Sequence, residues 1–365
     1  MIIYLLGAFL LSAISGFLII PAIMRFCREK KLYDLPNERK VHHDAIPRLG
    51  GIAFMPCMLI SFVAILTAQY LTGGDKVIVN ISSFSCIFGL ILVYGIGILD
   101  DLLDIKPITK FVVLVVAASL LPLPFLYLNN LYGFLWIDDI PFYIGYPLTV
   151  FILVFINNAI NLIDGIDGLA STLSILMLAV FLGYFMLHEV YIYTYCLLIA
   201  GLMGILCAYT YFNIFGNTEK GTKIFMGDSG SLTLGYFLGF IALKCAMNNT
   251  HIMPYRPEAL LVPTTLFFVP VADAVRVSLY RIRHHRPVFG ADKNHIHHKL
   301  MRAGCSQYQA LLVIVALAIA YMILNWLIGC RLNMTWVVCI DIAVYVLFHE
   351  VLNLFIAKNT TNTNS

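Results

Sequence analysis

A polar stretch ends an apolar run of residues 142–156, and it reads Asn157-Asn158-Ala159-Ile160-Asn161-Leu162-Ile163-Asp164-Gly165-Ile166-Asp167-Gly168-Leu169-Ala170. If the helix continues past residue 156, Asn157, Asn161 and Asp164 share one face, because they stand at i, i+4 and i+7. Such polarity at the edge of a membrane span has a desolvation cost unless something polar binds there. The stretch therefore indicates either a ligand site or a polar helix end wetted by lipid headgroups.

The composition of the whole chain is that of a membrane protein. Of the 365 residues, 61% are hydrophobic and 12% are charged, and the mean hydropathy is +0.88. This balance predicts a polytopic helical membrane protein and not a soluble fold. The net charge of +3 is too small to indicate a nucleic-acid partner. The nine cysteines form no Cys-x-x-Cys pair, so neither a zinc site nor a disulfide framework is indicated.

Apolar runs long enough to cross a bilayer, about 20 residues each, predict the spans. They fall near residues 2–24, 49–71, 79–99, 108–128, 142–160, 169–187, 190–211, 231–247, 259–280, 309–328 and 334–356. The expected fold is thus an all-α, polytopic integral membrane protein with about eleven transmembrane helices. The first run is expected to be a retained span and not a signal peptide. Residues 1–365 are expected to form one transmembrane domain, with a disordered tail at 358–365.

The distribution of basic residues predicts the orientation. Nineteen of the 23 Lys and Arg residues fall in or beside the odd-numbered loops, chiefly 25–48 and 281–308. By the positive-inside rule these loops are cytoplasmic, which places the N-terminus outside and the C-terminus in the cytoplasm. All the segments rich in polar and ionisable residues lie in odd-numbered loops, so we expect one site on the cytoplasmic face.

Carboxylates follow the third span and precede the eighth. Asp100, Asp101 and Asp104 form a cluster in which charge repulsion would be relieved by a divalent cation, or alternatively by Lys106 and Lys110 at a solvated helix end. Phe225-Met226-Gly227-Asp228-Ser229-Gly230-Ser231 offers Asp228 as a hard oxygen ligand for Mg²⁺ or Mn²⁺. The alternative for Asp228 is an ordinary helix N-cap.

Two basic loops complete the set. His295-Ile296-His297-His298 lies among several Lys and Arg residues, which indicates an anion site such as one for phosphate or pyrophosphate, or else a loop in contact with headgroups. The loop at 34–51 carries Pro and Gly punctuation, which indicates a shaped loop; it could also serve topology alone. Carboxylates for a metal, cations for phosphates and a membrane-borne substrate together predict phosphoryl transfer.

The motifs in this order resemble those of the polyprenyl-phosphate N-acetylhexosamine-1-phosphate transferases, over essentially the whole chain. They are Pro36-Asn37-x-Arg39-Lys40-x-His42 with Pro47 and Gly50-Gly51, Asp100-Asp101, Asn158-x-x-Asn161-x-x-Asp164-Gly-x-Asp167-Gly, Phe225-Met-Gly-Asp228, and His-Ile-His-His. The last motif lacks the three consecutive histidines of the muramyl-pentapeptide branch. It looks like the branch that acts on UDP-N-acetylglucosamine, in which Arg281 also matches a basic position.

The resemblance implies roles for individual residues. Asp228 would be the principal Mg²⁺ ligand, with Mn²⁺ as a substitute, and Asp100 and Asp101 would help to hold the metal and orient or deprotonate the lipid phosphate. Asn161 and Asp164 would border the metal and pyrophosphate. The residues expected to bind the nucleotide, sugar and diphosphate are Asp167, Phe225, Arg281, His295, His297 and His298, and Asn213 is a weaker candidate.

The implied reaction transfers N-acetylglucosamine 1-phosphate from UDP-N-acetylglucosamine to undecaprenyl phosphate at a bacterial inner membrane, and it initiates a cell-surface polysaccharide such as O-antigen. Another UDP-N-acetylhexosamine or the muramyl-pentapeptide donor remains an alternative, and a homodimer is left open. The alternative from another class is a transporter with a carboxylate ion site, for which Asp273 and Asp341 inside spans would be the evidence.

Overall fold

The structure is a computed structural model that describes residues 2–34, 45–73, 81–188, 193–249, 253–287 and 294–363. The predicted loop motif Pro36-Asn37-x-Arg39-Lys40-x-His42 lies outside the described residues. Within them, helices dominate, which confirms the predicted all-α class. The helices are α1 (Ile2–Lys30), α2 (Phe54–Leu71), α3 (Ile81–Leu103), α4 (Pro107–Ser119), α5 (Phe142–Ile163), α6 (Leu169–His188), α7 (Tyr193–Ile214), α8 (Gly227–Ala246), α9 (Leu261–Arg283), α10 (Ile296–Arg302), α11 (Gln307–Gly329) and α12 (Met334–Thr363).

The remaining regular structure is short. Strands β1 (Tyr33–Asp34) and β2 (Ile46–Pro47) pair antiparallel, and 3₁₀ turns form at Gly50–Ala53 and Phe134–Trp136. The first of these turns runs directly into α2. Strands and turns therefore act as connectors between helices and not as a second layer.

Ten helices among the described residues are long and apolar enough to cross a membrane. The exception among the eleven predicted spans is 108–128, where α4 covers only Pro107–Ser119, or 13 residues. The chain then turns through Pro122 and Pro124, because a proline inside a helix removes a hydrogen bond and clashes with the preceding turn. The predicted span is thus a short apolar helix followed by a turn. Helix α12 extends to Thr363, and the disordered tail at 358–365 stays a prediction.

Helix α8 lies at the centre of the bundle. Its apolar stretch is completely buried, and the helix packs against α3, α5, α6 and α9 and against the turn at Gly50–Ala53. Close approach to α3 depends on Gly97, where an added Cβ would lie 2.6 Å from the Cα of Ser229. Small residues at helix contacts allow such approach in membrane proteins. The consequence is that the first turn of α8, with Asp228, is held against the end of α3, with Asp100 and Asp101.

Candidate active site

Lys110 joins the two carboxylates that the sequence assigns to a metal. Its Nζ lies 3.0 Å from Asp100 Oδ2 and 2.7 Å from Asp228 Oδ2. Asp100 ends α3, Lys110 lies in the first turns of α4, and Asp228 begins α8, so three helices meet here. Asp100 also accepts a hydrogen bond from the backbone N–H of Ile105 at 2.9 Å, which fixes its second oxygen. The site is therefore a carboxylate pair that converges on a cation.

Asp101 has a different role from its neighbour. Its Oδ1 accepts the backbone N–H of Asp228 at 2.8 Å, and its Oδ2 accepts that of Ser229 at 3.0 Å. These amides belong to the first turn of α8, where the helix leaves its N–H groups without partners and where negative charge is favourable. Gly227 has φ +73°, and an added Cβ would lie 2.6 Å from Asp101 Oδ2. The N-terminus of α8 is thus capped by a side chain from α3, whereas the sequence offered Asp228 itself as the cap.

Asn161 brings the last turn of α5 into the same group. Its Nδ2 donates to Asp228 Oδ1 at 3.1 Å and to Ser231 Oγ at 2.7 Å. One turn earlier, the Nδ2 of Asn157 donates to the backbone carbonyl of Leu232 at 2.8 Å. The face predicted for Asn157 and Asn161 is therefore turned toward α8, and Asn161 fixes the oxygen of Asp228 that Lys110 does not contact.

The loop after α5 carries Asp164 and Asp167. Burial raises the pKa of Asp164 to about 7, and the nearby carboxylates of Asp228, Asp167 and Asp101 add to the effect. Asp167 Oδ2 accepts a 2.6 Å hydrogen bond from Lys223 Nζ. Lys223 was not singled out in the sequence, although it lies only two residues before Phe225.

Asn213 is a structural residue in this arrangement. Its Oδ1 accepts the backbone N–H of Gly168 at 2.6 Å, and its Nδ2 donates to the carbonyl of Ile224 at 2.8 Å. The side chain is buried and both ends of the amide are used by backbone. It therefore ties the Asp164–Gly168 loop to the Phe225 segment, and its contact with a nucleotide stays a prediction.

Phe225 lies in a segment that is paired with the loop preceding α2. Its N–H donates to the carbonyl of Pro47 at 2.7 Å, and its carbonyl accepts the N–H of Gly50 at 2.9 Å. The ring is half-buried. The backbone of Phe225 is therefore fixed on both sides. Stacking of its ring on uracil stays a prediction.

The histidine motif is organised by Asp273 of α9. Asp273 Oδ2 lies 2.8 Å from His295 Nδ1, and Oδ1 accepts the backbone N–H of Ile296 at 3.0 Å. Arg276 donates to Asp273 Oδ1 at 2.7 Å and to the backbone carbonyl of Asn294. Asp273, which the transporter alternative took as a charge inside a span, thus anchors the His295–His298 segment. Because ionisable residues within spans are usually functional, the position of Asp273 in α9 could have indicated this role from the sequence.

His297 lies against the Asp164–Gly168 loop. A Cβ added at Gly165 would lie 2.3 Å from His297 Nε2, and the rings of His295 and His297 are nearly parallel with centroids 5.9 Å apart. Burial lowers the pKa of His297 to about 3, and the neighbouring His298 and His295 act in the same direction. His297 is therefore neutral at physiological pH. The ring of His298 lies 4.3 Å from that of His297, centroid to centroid, and is tilted by 46° against it. Arg281 is buried in the last turn of α9, and its contact with diphosphate stays a prediction.

Two of the carboxylates in this site are suited to hold Mg²⁺ together with water and phosphate oxygens. Among the described residues, no group of three or more His, Cys, Asp or Glu side chains could hold a metal ion by itself. Magnesium usually takes one or two carboxylates and completes its shell with water and phosphate oxygens. Asp100 and Asp228 supply such a pair, because one oxygen of each already faces the Lys110 ammonium. Both oxygens of Asp101 accept backbone amides, and its direct ligation of the metal, also expected from the sequence, stays a prediction.

Comparison with known proteins identifies relatives along most of the chain. Residues 83–246 match Glycosyl transferase family 4. A Bacillus subtilis (strain 168) protein named probable undecaprenyl-phosphate N-acetylglucosaminyl 1-phosphate transferase is 30% identical over 325 residues, which cover 87% of this chain and 82% of the relative. The undecaprenyl-phosphate alpha-N-acetylglucosaminyl 1-phosphate transferase of Escherichia coli (strain K12) is 32% identical, and the alignment covers 84% of this chain and 80% of the relative.

A third relative broadens the group. The decaprenyl-phosphate N-acetylglucosaminephosphotransferase of Mycobacterium leprae (strain TN) is 30% identical, over 76% of this chain and 72% of the relative. Identity at this level over most of both chains means that they share a fold and a family, so the enzyme prediction is confirmed over the transporter alternative. The chain is a multi-pass membrane transferase that belongs to glycosyl transferase family 4, among the polyprenyl-phosphate N-acetylhexosamine-1-phosphate transferases.

Proposed function

We propose that this enzyme transfers N-acetylglucosamine 1-phosphate from UDP-N-acetylglucosamine to undecaprenyl phosphate and releases UMP. A lipid phosphate oxygen attacks the sugar-bearing phosphorus of the donor, a new P–O bond forms, and the bond between that phosphorus and the UMP oxygen breaks with its electrons. One phosphoanhydride replaces another, so the equilibrium constant is expected to lie near unity. The names of the relatives from B. subtilis and E. coli support the acceptor and the sugar.

The observation that carries the proposal is the Asp100–Lys110–Asp228 bridge. Two carboxylates that share one ammonium form a site that accepts a cation on one side and, through the cation, phosphate oxygens on the other. The reaction brings two polyanions together, so its barrier is lowered mainly by positive charge fixed in advance. Lys110 would supply a further positive charge for the phosphate oxygens of the substrates.

The other residues orient the substrates. Mg²⁺, when bound by Asp228 and Asp100, would offset charge on the donor pyrophosphate as the leaving oxygen develops charge. A phosphate monoester is already mostly ionised at neutral pH, because its second pKa is about 6. Asp100 therefore acts mainly to orient the lipid phosphate and less as a strong base. Asn161 keeps Asp228 in place from the opposite side.

The nucleotide is proposed to lie near Asp167 and Phe225, and the sugar and diphosphate near the histidines. The Lys223–Asp167 ion pair and the backbone hydrogen bonds that fix Phe225 two residues after Lys223 support this part. His297 is neutral, so it would act as a hydrogen-bonding group and not as a cation. We place the site on the cytoplasmic face of a bacterial inner membrane from the distribution of Lys and Arg.

A transfer assay that measures both products tests the proposal. Purified protein in detergent receives undecaprenyl phosphate, Mg²⁺ and UDP-N-acetylglucosamine, and both the lipid-linked sugar and the released nucleotide are measured. Equal amounts of lipid product and UMP are expected, and the reaction should stop with EDTA. Release of UDP would instead mean that the sugar moves without its phosphate, which would refute the proposal.

The donor is tested in the same assay. UDP-N-acetylgalactosamine, a 6-deoxy UDP-amino sugar and the muramyl-pentapeptide donor are compared with UDP-N-acetylglucosamine at equal concentration. We expect the highest kcat/KM for N-acetylglucosamine. A higher value for another donor would keep the reaction and change its substrate, and turnover with none of them would contradict the proposed reaction itself.

A further inference from the structure

Lys223 lies between α7 and α8, and its ammonium is 2.6 Å from Asp167 Oδ2. Both side chains remain partly exposed, at 17% for Lys223 and 23% for Asp167. Among the described residues no donor contacts the second oxygen of Asp167, Oδ1. An ion pair with this exposure adds little to stability. It does present a hydrogen-bond donor and an acceptor side by side to a ligand.

A buried amide, that of Asn213, holds the two halves of this pair in place. Its Oδ1 accepts the backbone N–H of Gly168, the residue after Asp167, at 2.6 Å. Its Nδ2 donates to the carbonyl of Ile224, the residue after Lys223, at 2.8 Å. Both segments are therefore fixed to the same side chain, so the donor and the acceptor are in position before a ligand binds.

The burial of residues 223–226 alternates. Ile224 and Met226 are buried, whereas Lys223 and Phe225 are partly exposed. Side chains at i and i+2 of an extended segment lie on the same side. Lys223 is therefore on the side of the segment that carries Phe225, the ring proposed to stack on the base.

The pair is also within reach of the reaction site. Lys223 precedes Asp228 by five residues, which span at most about 18 Å even in a fully extended chain. A nucleoside diphosphate bridges such a distance, with its base at one end and its phosphates at the other. A base held at Lys223 and Asp167 thus leaves the phosphates for the carboxylate site.

The edge of uracil is complementary to a carboxylate beside an ammonium. Its N3–H donates and the neighbouring O4 accepts, whereas cytosine has an acceptor at N3 and an amino group at position 4. In the same pose, cytosine would place its N3 against the carboxylate and its amino group against the ammonium. Stacking on an aromatic ring accepts every base, so selection requires contacts at the edge of the base.

We propose that Lys223 selects uracil, because its ammonium donates to O4 of the base while Oδ1 of Asp167 accepts N3–H. The inference rests on the proposed function, in which the nucleotide lies near Asp167 and Phe225. It adds to that function a residue that contacts the base and determines which pyrimidine is accepted.

Nucleotide binding to the full-length protein in detergent with Mg²⁺ tests the inference. The probes are UMP, CMP and 3-methyluridine 5′-monophosphate, which lacks the N3–H, and the readout is calorimetry. We expect the wild type to bind UMP at least about tenfold more tightly than either of the others, the size of one good base-edge contact. Binding of the 3-methyl nucleotide as tight as that of UMP would overturn the inference without any variant.

Variants assign the selection to Lys223. Lys223→Met removes the donor, so it should weaken UMP binding about tenfold and leave CMP binding nearly unchanged. Lys223→Arg retains a donor and should keep the preference for UMP. Lys220→Met is the matched control, because Lys220 is an exposed lysine of the same loop, and it should behave as the wild type.

The ratio of the two affinities decides between the roles of Lys223. Equal losses for UMP and CMP in Lys223→Met would mean that the ammonium binds phosphate, and an unchanged ratio with unchanged affinities would mean a purely structural pair. Either result would overturn the inference and leave the proposed function intact. A wild type that binds neither nucleotide would refute both.

Discussion

Asp101 of α3 caps α8 across 127 residues of sequence by accepting the backbone N–H groups of both Asp228 and Ser229. The adjacent Asp100 points instead at Lys110, which it shares with Asp228. The two consecutive carboxylates therefore have different roles in the same site. Asp101 positions the helix that carries Asp228, and Asp100 forms the charged bridge with it.

Substitution of these two aspartates should separate stability from turnover. Asp101→Asn replaces one acceptor oxygen with an NH₂ group that faces a buried N–H, so we expect it to lower the unfolding temperature clearly. The expected cost is about 1.5–3 kcal/mol, the size of a hydrogen bond to a charged group. Asp100→Asn should leave the unfolding temperature near that of the wild type and reduce kcat by about 100-fold. Thermal unfolding and steady-state kinetics on both variants check this, and wild-type turnover in Asp100→Asn would contradict the orienting role.

Lys110 is expected to be essential for turnover. Lys110→Gln removes the ammonium that bridges Asp100 and Asp228, and loss of one such preorganised group costs about 10²–10³-fold in kcat. Lys106→Gln is the matched control, because Lys106 is exposed at the start of the same helix and should retain wild-type activity. Steady-state assays of the two variants at saturating Mg²⁺ decide the point. Similar losses in both would show that only the general charge of α4 matters.

Gly227 is expected to tolerate no side chain. Its φ of +73° costs an L-residue about 1–2 kcal/mol, and a Cβ would also press on Asp101. We therefore expect Gly227→Ala to lower the unfolding temperature and to abolish most activity. Gly95→Ala on α3 is the control, since nothing lies within 4 Å of an added Cβ there and alanine is the better helix former. An unfolding temperature for Gly227→Ala equal to that of Gly95→Ala would contradict the strained cap.

His297 should make a contribution to stability that is lost in mild acid. Its pKa in the folded state is about 3, below the value of about 6.5 in an unfolded chain, so the folded state binds fewer protons. The stabilising contribution is therefore present above pH 6.5 and is lost progressively as the pH falls toward 3. Between pH 6.5 and 5 the loss reaches at most about 2 kcal/mol.

Unfolding temperatures at pH 7 and pH 5 test this contribution. The wild type should lose more than His297→Gln, in which nothing titrates at that position. His284→Gln, at an exposed histidine just beyond α9, serves as the control and should lose as much as the wild type. An unchanged pH dependence in His297→Gln would show that the buried ring does not govern acid stability.

The sequence predicted the membrane class and the polar residues of the site, because hydropathy and intramembrane polarity are local signals. It could not divide the roles of Asp100 and Asp101, since the cap on α8 depends on a contact between distant helices. Lys110 was seen only as charge compensation for the aspartates; the structure places its ammonium between Asp100 and Asp228, where it does compensate them and also completes the site. Asp273 was assigned to the transporter alternative, because its partner His295 is 22 residues away in the chain.

Ten of the eleven predicted spans are helices long enough to cross a membrane, and the remaining one, 108–128, contains the shorter apolar helix α4. Pro122 and Pro124 interrupt this apolar run, and its helix covers only the 13 residues Pro107–Ser119. The short helix brings Lys110 to the carboxylates of Asp100 and Asp228.

The central claim is that the sugar moves together with its phosphate at the Asp100–Lys110–Asp228 site. UDP-N-acetylglucosamine labelled with ³²P in the β-phosphate tests it most directly, in detergent with undecaprenyl phosphate and Mg²⁺. The label is expected in the lipid fraction for the wild type and Lys106→Gln, and to be absent from that fraction for Asp228→Ala and Lys110→Gln. Label that remains in the nucleotide while the sugar enters the lipid, or lipid labelling by Asp228→Ala at the wild-type rate, would contradict it.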